Sequence, residues 1–125
     1  MAEDRRTPKR RIRDAGEDAA CSMLVKDGCE IIARNFSCRT GEIDIIAVRP
    51  QLREILFIEV KTRRNTDFGY PSEFVGKDKQ RRLKHTAEIF LFKNPRYRSY
   101  SKSMDIIEIL HTDTGLFGRH ITNAF

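Results

Sequence analysis

The stretch from Gly41 to Arg63, GEIDIIAVRPQLREILFIEVKTR, constrains the fold more than any other part of the sequence. Ile and Val dominate it, and its apolar residues fall on alternate positions, which predicts two β-strands at residues 42–48 and 54–62. The link at residues 50–53 is short enough for a hairpin. The sequence therefore predicts an antiparallel pair of strands at the centre of the fold.

This hairpin brings four ionisable side chains together if its turn is centred in the middle of the link. Asp44 then lies opposite Glu59, and Glu42 lies opposite Lys61. Because side chains alternate between the two faces of a strand, these four share one face. The opposite face carries only apolar side chains, namely Ile43, Ile45, Ile58 and Val60.

Two carboxylates opposed on neighbouring strands lie roughly 5 Å apart, and like charges there are destabilising. At an effective dielectric constant of about 20, their repulsion is roughly 3 kcal/mol. A hard divalent cation held by carboxylate oxygens offsets it, so Asp44 and Glu59 are candidate ligands of Mg²⁺ or Mn²⁺, with Lys61 beside them. The alternative is a solvated face on which Glu42 pairs with Lys61 and Glu59 pairs with an arginine.

The length of 125 residues predicts one domain, which we place at residues 14–125 after a flexible basic tail at residues 1–13. No apolar run is long enough to span a membrane, and the first residues lack the apolar segment of a secretory signal, so we expect a cytoplasmic protein without a membrane partner. The three cysteines lack CxxC spacing and the three histidines are scattered, which favours neither a disulfide framework nor a zinc site.

The net charge of +6 points to a polyanionic partner, and most of it lies in the tail. Residues 1–13 contain six basic and two acidic side chains, which leaves little excess charge for the rest of the chain. Arg10, Arg11 and Arg13 are therefore candidate contacts to nucleic-acid phosphates, and their contribution should depend strongly on salt. A disordered solubilising tail is the alternative.

A helix is predicted from residue 12 to residue 27, closed by Gly28. Glu17 falls at the edge of its buried stripe, from where it could reach a metal or a metal-bound water, whereas Asp18 points to solvent. An ordinary boundary glutamate is the alternative for Glu17. The buried stripe consists of Ile12, Gly16, Ala19, Ala20, Met23 and Leu24.

A strand at residues 30–37 and a turn at residues 38–41 precede the hairpin and complete a three-stranded meander. Centring that turn between its two middle residues places Asn35 opposite Asp44, where its amide could donate a hydrogen bond to the carboxylate. Asn35 is equally explained as an edge or turn residue.

The segment after Lys61, residues 62–71, is predicted as a loop. Arg63 and Arg64 are interleaved there with aromatic residues and glycine, as in grooves that bind a nucleic-acid backbone and stack on bases, although ordinary loops share this composition. A short helical turn is predicted from Ser72.

A longer helix is predicted at residues 77–92. Lys79 either follows the edge of the core or points at the acidic patch, with Gln80 beside it. The apolar face of this helix consists of Leu83, Ala87, Phe90 and Leu91.

A last strand at residues 104–110 follows this helix, and a strand–helix–strand crossover yields a parallel pair. The predicted fold is therefore α/β, a mixed sheet flanked by helices in the order α-β-β-β-α-β. Residues 111–125 have no clear pattern.

The ordered set of an upstream helical Glu, an Asp on one strand, E-x-K on the next and a Lys-bearing helix resembles the PD-(D/E)xK restriction-endonuclease-like nucleases. The similarity is closer to the YraN family of small bacterial predicted endonucleases, and the layout is also similar to archaeal Holliday-junction resolvases. Ile43 replaces the Pro of the motif. The residues that carry the resemblance are Gly16-Glu17-Asp18-Ala19-Ala20, Ala33-Arg34-Asn35-Phe36, Gly41-Glu42-Ile43-Asp44, Phe57-Ile58-Glu59-Val60-Lys61-Thr62-Arg63, Phe68-Gly69, Lys79-Gln80-Arg81-Arg82-Leu83 and His120-Ile121-Thr122-Asn123-Ala124-Phe125.

The resemblance implies a restriction-endonuclease-like fold and metal-dependent hydrolysis of DNA, with branched DNA as a substrate. Asp44 and Glu59 would hold Mg²⁺ or Mn²⁺, Glu17 would complete the shell through water, and Lys61 would orient or activate the attacking water. Phosphate contacts would come from Lys79, Arg63 and Gln80. The expected partner is DNA rather than RNA, and a homodimer is compatible with the sequence.

Two other classes of function stay open at the level of sequence. A nucleic-acid-binding module could use the tail and the basic loop without cutting, and a protein-interaction scaffold would have no salt-dependent affinity for DNA.

Overall fold

The computed structural model describes residues 3–64 and 75–125 as a five-stranded sheet with two helices. The predicted mixed α/β architecture is confirmed, but the chain adds a final strand that was not predicted. The elements are α1 (Pro8–Lys26), β1 (Glu30–Cys38), β2 (Gly41–Arg49), β3 (Glu54–Arg64), α2 (Lys77–Lys93), β4 (Ser101–Thr112) and β5 (Gly115–Ile121).

The five described strands are arranged in chain order; among them β3 and β4 run parallel, joined by the predicted α2 crossover, and the other neighbouring pairs are antiparallel. The hairpin register is the predicted one, from Arg49 opposite Glu54 to Ile45 opposite Ile58. The pairing of β2 with β3 ends there, while β2 continues beside β1 and β3 continues beside β4. β2 and β3 therefore separate beyond the pair of Ile45 and Ile58, and Asp44 and Glu59 are the first residues past this split.

The two helices cover opposite faces of the sheet. Leu24 and its neighbours on α1 pack on a cluster that contains Ile58 and Ile107. Gly16 allows α1 to approach the sheet, because a Cβ at this position would overlap Thr62 Oγ1. The predicted apolar face of α2 is buried on the other side, where Phe90 contacts Phe36 with ring centroids 5.2 Å apart.

The predicted alternation of β2 is wrong at one position. Ile43 packs in the cluster under α2, whereas Ile45 packs under α1. The alternation breaks at Asp44, next to the point where the sheet splits. On β1, Asn35 has a φ of 53°, so the backbone there is irregular as well. The ionisable residues therefore surround the split instead of sharing one flat face.

α1 begins at Pro8, before the predicted start. The Thr7 hydroxyl accepts a hydrogen bond from the Arg10 amide at 3.1 Å, and proline is well suited to the first turn of a helix. Residues 8–13 are therefore helical rather than part of a flexible tail, while the division of the chain after residue 13 stays a prediction. Gly28 follows the helix with a φ of 86°, as a terminating glycine should.

β3 extends to Arg64, so the first part of the predicted loop is strand. The rest of that loop, with Phe68 and Tyr70, and the helical turn predicted from Ser72 lie outside the described residues. Within the described part of the chain, neither helix is long and apolar enough to cross a membrane.

Candidate functional site

Two carboxyl groups meet at the split in the sheet. Asp44 is 7% exposed, and its Oδ2 accepts a hydrogen bond from the Val60 amide at 2.8 Å. Burial, together with the charge of the neighbouring Glu59 carboxyl and a hydrogen bond to it, raises the pKa of Asp44 to about 7. This pair is unfavourable when both members are ionised, as the hairpin register predicts.

The Glu59 carboxylate has one oxygen that is buried and lacks a hydrogen-bond donor in the described residues. Lys79 Nζ lies 3.2 Å from this oxygen, Oε2, so the two groups form an ion pair, but their relative orientation does not make a hydrogen bond. The predicted approach of Lys79 to the acidic patch is confirmed. A buried carboxylate oxygen of this kind has a lone pair available to a ligand.

Lys61 lies beside Lys79 at the same site and is half-buried. Burial and the adjacent Lys79 ammonium lower the pKa of Lys61, against the opposing influence of Glu59 and Asp44. Its neutral form is therefore easier to reach than that of an exposed lysine, as a proton acceptor requires.

Arg13 enters the site from α1. Its Nη2 lies 3.0 Å from Glu42 Oε1 and 3.8 Å from Asp44 Oδ1, and its Nε lies 3.4 Å from Glu17 Oε2. Burial alone would lower the pKa of the Arg13 guanidinium, but the surrounding carboxylates have the larger combined effect and raise it.

The structure thus separates Arg13 from the other two candidates of the tail. Arg10 pairs with Asp14 at 3.6 Å, and Arg11 Nη1 donates to the Arg6 carbonyl at 2.7 Å. The sequence signal for the different role of Arg13 is its position four residues before Glu17 on one helix.

Glu17 is 2% exposed, so its predicted position against the protein body is confirmed. Besides Arg13, its carboxylate has Arg34 Nη2 at 3.6 Å. Asn35, with its amide nitrogen turned toward the acids, lies 3.3 Å from Glu17 Oε1 and 3.2 Å from Glu42 Oε1. The predicted hydrogen bond from Asn35 to Asp44 is therefore wrong.

Asp44 and Glu59 fit a hard cation because both offer carboxylate oxygens and one of these is buried without a donor. In the described ranges no group of three or more His, Cys, Asp and Glu side chains is arranged to hold a metal, so Glu17 does not join the pair. Its action through water stays a prediction. The two acids open into a cavity of about 260 Å³ lined by Arg13, Gly41, Glu42, Asp44, Glu59, Lys79, Arg82 and Leu83.

The remaining candidates for phosphate contacts are distributed along β3 and α2. Arg63 is partly exposed and Arg64 is exposed at the end of β3. Gln80 instead donates through Nε2 to the Val75 carbonyl at 2.8 Å, which fixes the chain before α2.

Comparison with known proteins identifies the family. Residues 16–109 match the uncharacterised protein family UPF0102. The chain belongs to this family. The matched region includes Asp44, Glu59, Lys61 and Lys79, whereas Arg13 precedes it.

Several bacterial UPF0102 proteins are similar to the chain over most of its length. The one from Caldicellulosiruptor saccharolyticus is 46% identical over 105 residues, which cover 81% of this chain and 83% of the relative. The one from Pelobacter propionicus is 40% identical over 121 residues, or 96% and 86% of the two chains. The one from Dictyoglomus thermophilum is 41% identical over 117 residues, or 91% and 96%.

Proposed function

We propose that this chain is a metal-dependent nuclease that hydrolyses phosphodiester bonds of DNA, with branched DNA as the preferred substrate. One observation carries the proposal: the buried Asp44 carboxyl meets the partly buried Glu59 carboxyl at the split of the sheet, and Glu59 Oε2 has an ion-pair partner in Lys79 but no hydrogen-bond donor in the described structure. The order of acids and lysine along the chain, similar to YraN-type endonucleases and the restriction-endonuclease-like fold, supports the same reaction.

In this proposal, Asp44 and Glu59 hold Mg²⁺ or Mn²⁺. When bound, such a cation polarises the phosphate and lowers the pKa of a bound water. Lys61 positions the attacking water through Nζ and is able to take its proton, because burial and Lys79 lower the pKa of this amine. Lys79 offers positive charge to the phosphate oxygens at the same place.

The proposed DNA partner is supported by charge. The chain carries a net charge of +6, and Arg10 and Arg11 add positive charge in the first turn of α1. Arg63 and Arg64 continue β3 beyond Lys61. These side chains would neutralise phosphates without reading the sequence, so binding should weaken steeply as salt is raised.

A cleavage assay tests the proposal with linear, flapped and four-way DNA in the presence of Mg²⁺, Mn²⁺ or EDTA. We expect metal-dependent cleavage by the wild type and its loss in Glu59→Gln and Lys61→Met. Glu54→Gln is the matched control, because Glu54 lies on the same strand and pairs with Arg49 away from the site. Cleavage that survives both site substitutions, or that persists in EDTA, would refute the proposal.

A DNA-binding module without cleavage is the second candidate. It is favoured by the ion pairs of Arg13 with Glu42 and of Lys79 with Glu59, which already supply positive charge to the acids. In that case Asp44→Ala would leave DNA binding intact and the wild type would have no cleavage to lose. A protein scaffold would differ from both in showing no salt-dependent affinity for DNA.

A further inference from the structure

The register of the sheet connects the candidate site to the unpredicted strand β5. Directly paired residues on neighbouring strands share a face, so the side chains on the α2 side form rows across β3, β4 and β5. The rows are Glu59, Ile106 and Ile121, then Lys61, Glu108 and Arg119, then Arg63, Leu110 and Phe117.

The packing confirms which face these rows occupy. Ile106 and Ile121 pack in the cluster under α2, whereas Gly118 approaches Met23 of α1 on the opposite face. Phe117 therefore lies on the same side of the sheet as Glu59 and Lys61, two rows beyond the acid.

Phe117 is an exposed aromatic ring beside an arginine. It is 56% exposed, and Arg119 lies two residues further along β5 on the same face. Arg119 Nη2 pairs with Glu108 Oε1 at 2.7 Å while the arginine side chain stays 59% exposed. The pair holds a guanidinium in place one row from the ring.

The distance between Phe117 and Lys61 matches the length of a short single strand of nucleic acid. Neighbouring strands are about 4.8 Å apart and residues rise about 3.3 Å along a strand, so Phe117 lies roughly 12 Å from Lys61. An extended single strand covers that distance in a few nucleotides. A chain that starts at Lys61 and passes Arg63 and Arg119 would meet positive charge before it reaches the ring.

We propose that Phe117 stacks on an unpaired base next to the cleavage site and thereby selects DNA with single-stranded segments. The location of the scissile phosphate in this inference rests on the proposed nuclease function. Aromatic rings beside arginines bind exposed bases regardless of their sequence, because every base has a π-face. In an intact duplex the bases are stacked inside, so Phe117 has nothing to bind.

Binding in EDTA tests the inference without cleavage. Fluorescence anisotropy would compare a forked DNA that has single-stranded arms with a blunt duplex of equal length, using the full chain. We expect Phe117→Ala to weaken binding of the fork roughly ten-fold, within the contribution of one stacked base, and to leave the duplex unchanged. Phe117→Trp should restore fork binding.

Phe92→Ala is the matched control, because Phe92 is 74% exposed on α2 and lies beside Arg98. The inference is overturned if Phe117→Ala binds the fork like the wild type, if it weakens fork and duplex equally, or if wild type binds neither DNA. It is also overturned if sedimentation shows a dimer that Phe117→Ala dissociates. Absence of cleavage in Mg²⁺ would refute the nuclease proposal alone, since the binding comparison is made without metal.

Discussion

Asp44 and Asp105 are both buried aspartates of the same sheet, but their surroundings are opposite. Asp105, on β4, is 0% exposed and has His120 Nε2 at 2.7 Å, the Asn123 amide at 3.0 Å and the Ser103 hydroxyl as partners. Within residues 3–64 and 75–125, Asp44 accepts one backbone amide hydrogen bond, has Arg13 Nη2 at 3.8 Å and faces another carboxyl group.

The difference separates a structural acid from a proposed metal ligand. Two partners of Asp105, His120 and Asn123, come from the end of the chain. This carboxylate therefore attaches residues 120–123 to β4, next to the Ala124 amide, which donates to the Met104 carbonyl at 2.7 Å. Asp44 receives too little compensation for its burial. Ionisation of a buried acid with few hydrogen-bond donors costs free energy, and a bound cation offsets this cost.

Cleavage should distinguish the two aspartates most strongly. Asp44→Ala removes a proposed metal ligand, so we expect the cleavage rate to fall by more than about 100-fold, the upper range for residues that only support a ligand. Asp105→Ala should keep the rate per folded molecule, measured on branched DNA in Mg²⁺ after the folded fraction is determined by circular dichroism. Equal losses in the two variants would remove the distinction.

The pH dependence of stability should come from Asp44. Its pKa is about 7 in the folded chain against 3.8 when unperturbed, so the folded state binds the proton more tightly than the unfolded state. Stability from this group is therefore full below about pH 4 and is lost as the pH rises through 7, by up to about 4 kcal/mol.

Urea unfolding at pH 5 and pH 8 in EDTA measures this effect. The wild type should lose stability between the two values, and Asp44→Asn should flatten the profile. A variant with the same slope as the wild type would show that another group carries the dependence.

Asp105 should instead contribute directly to stability. Asp105→Ala removes the carboxylate that joins the Asn123 amide, the Ser103 hydroxyl and His120 Nε2, and we expect the free energy of unfolding to fall by about 3 kcal/mol. Asp44→Ala at pH 8 should not lower it, because relief of the burial of an ionised carboxyl and of its repulsion with Glu59 outweighs the lost Val60 hydrogen bond. Urea unfolding checks both values, and a larger loss in Asp44→Ala would reverse their assignment.

Arg13 should have the smallest effect. Its charge lowers the pKa of Asp44 from an exposed position, so Arg13→Gln should move the lower limb of the pH–rate profile for cleavage upward by a few tenths of a unit. A shift in the opposite direction, or a loss as large as that of Asp44→Ala, would assign Arg13 a different role.

The local pattern was sufficient to predict the hairpin and its register, because Ile and Val alternate with charged residues on both strands and the link between them is short. It also placed Glu17 against the protein body, and it gave the approach of Lys79 to the acids as one of two alternatives. β5 escaped prediction because Gly115 and Gly118 interrupt its alternation, although the Thr-Asp-Thr-Gly sequence before it is typical of a turn.

The errors at the site have a tertiary origin. The sheet splits at Asp44, and Asn35 has a positive φ. The pattern of residues within one strand does not show where its pairing with the neighbouring strand ends. The acids of β4 were likewise not singled out, since Asp105 and Glu108 have partners among residues 119–123, which had no clear pattern.

The anomalous scattering of a crystal soaked in Mn²⁺ at pH 8 shows whether the two acids bind a metal. We expect one peak bound by both Asp44 and Glu59, which disappears in Glu59→Gln. An empty site, with Lys79 still paired with Glu59 and Arg13 still beside Asp44 at saturating Mn²⁺, would contradict this expectation.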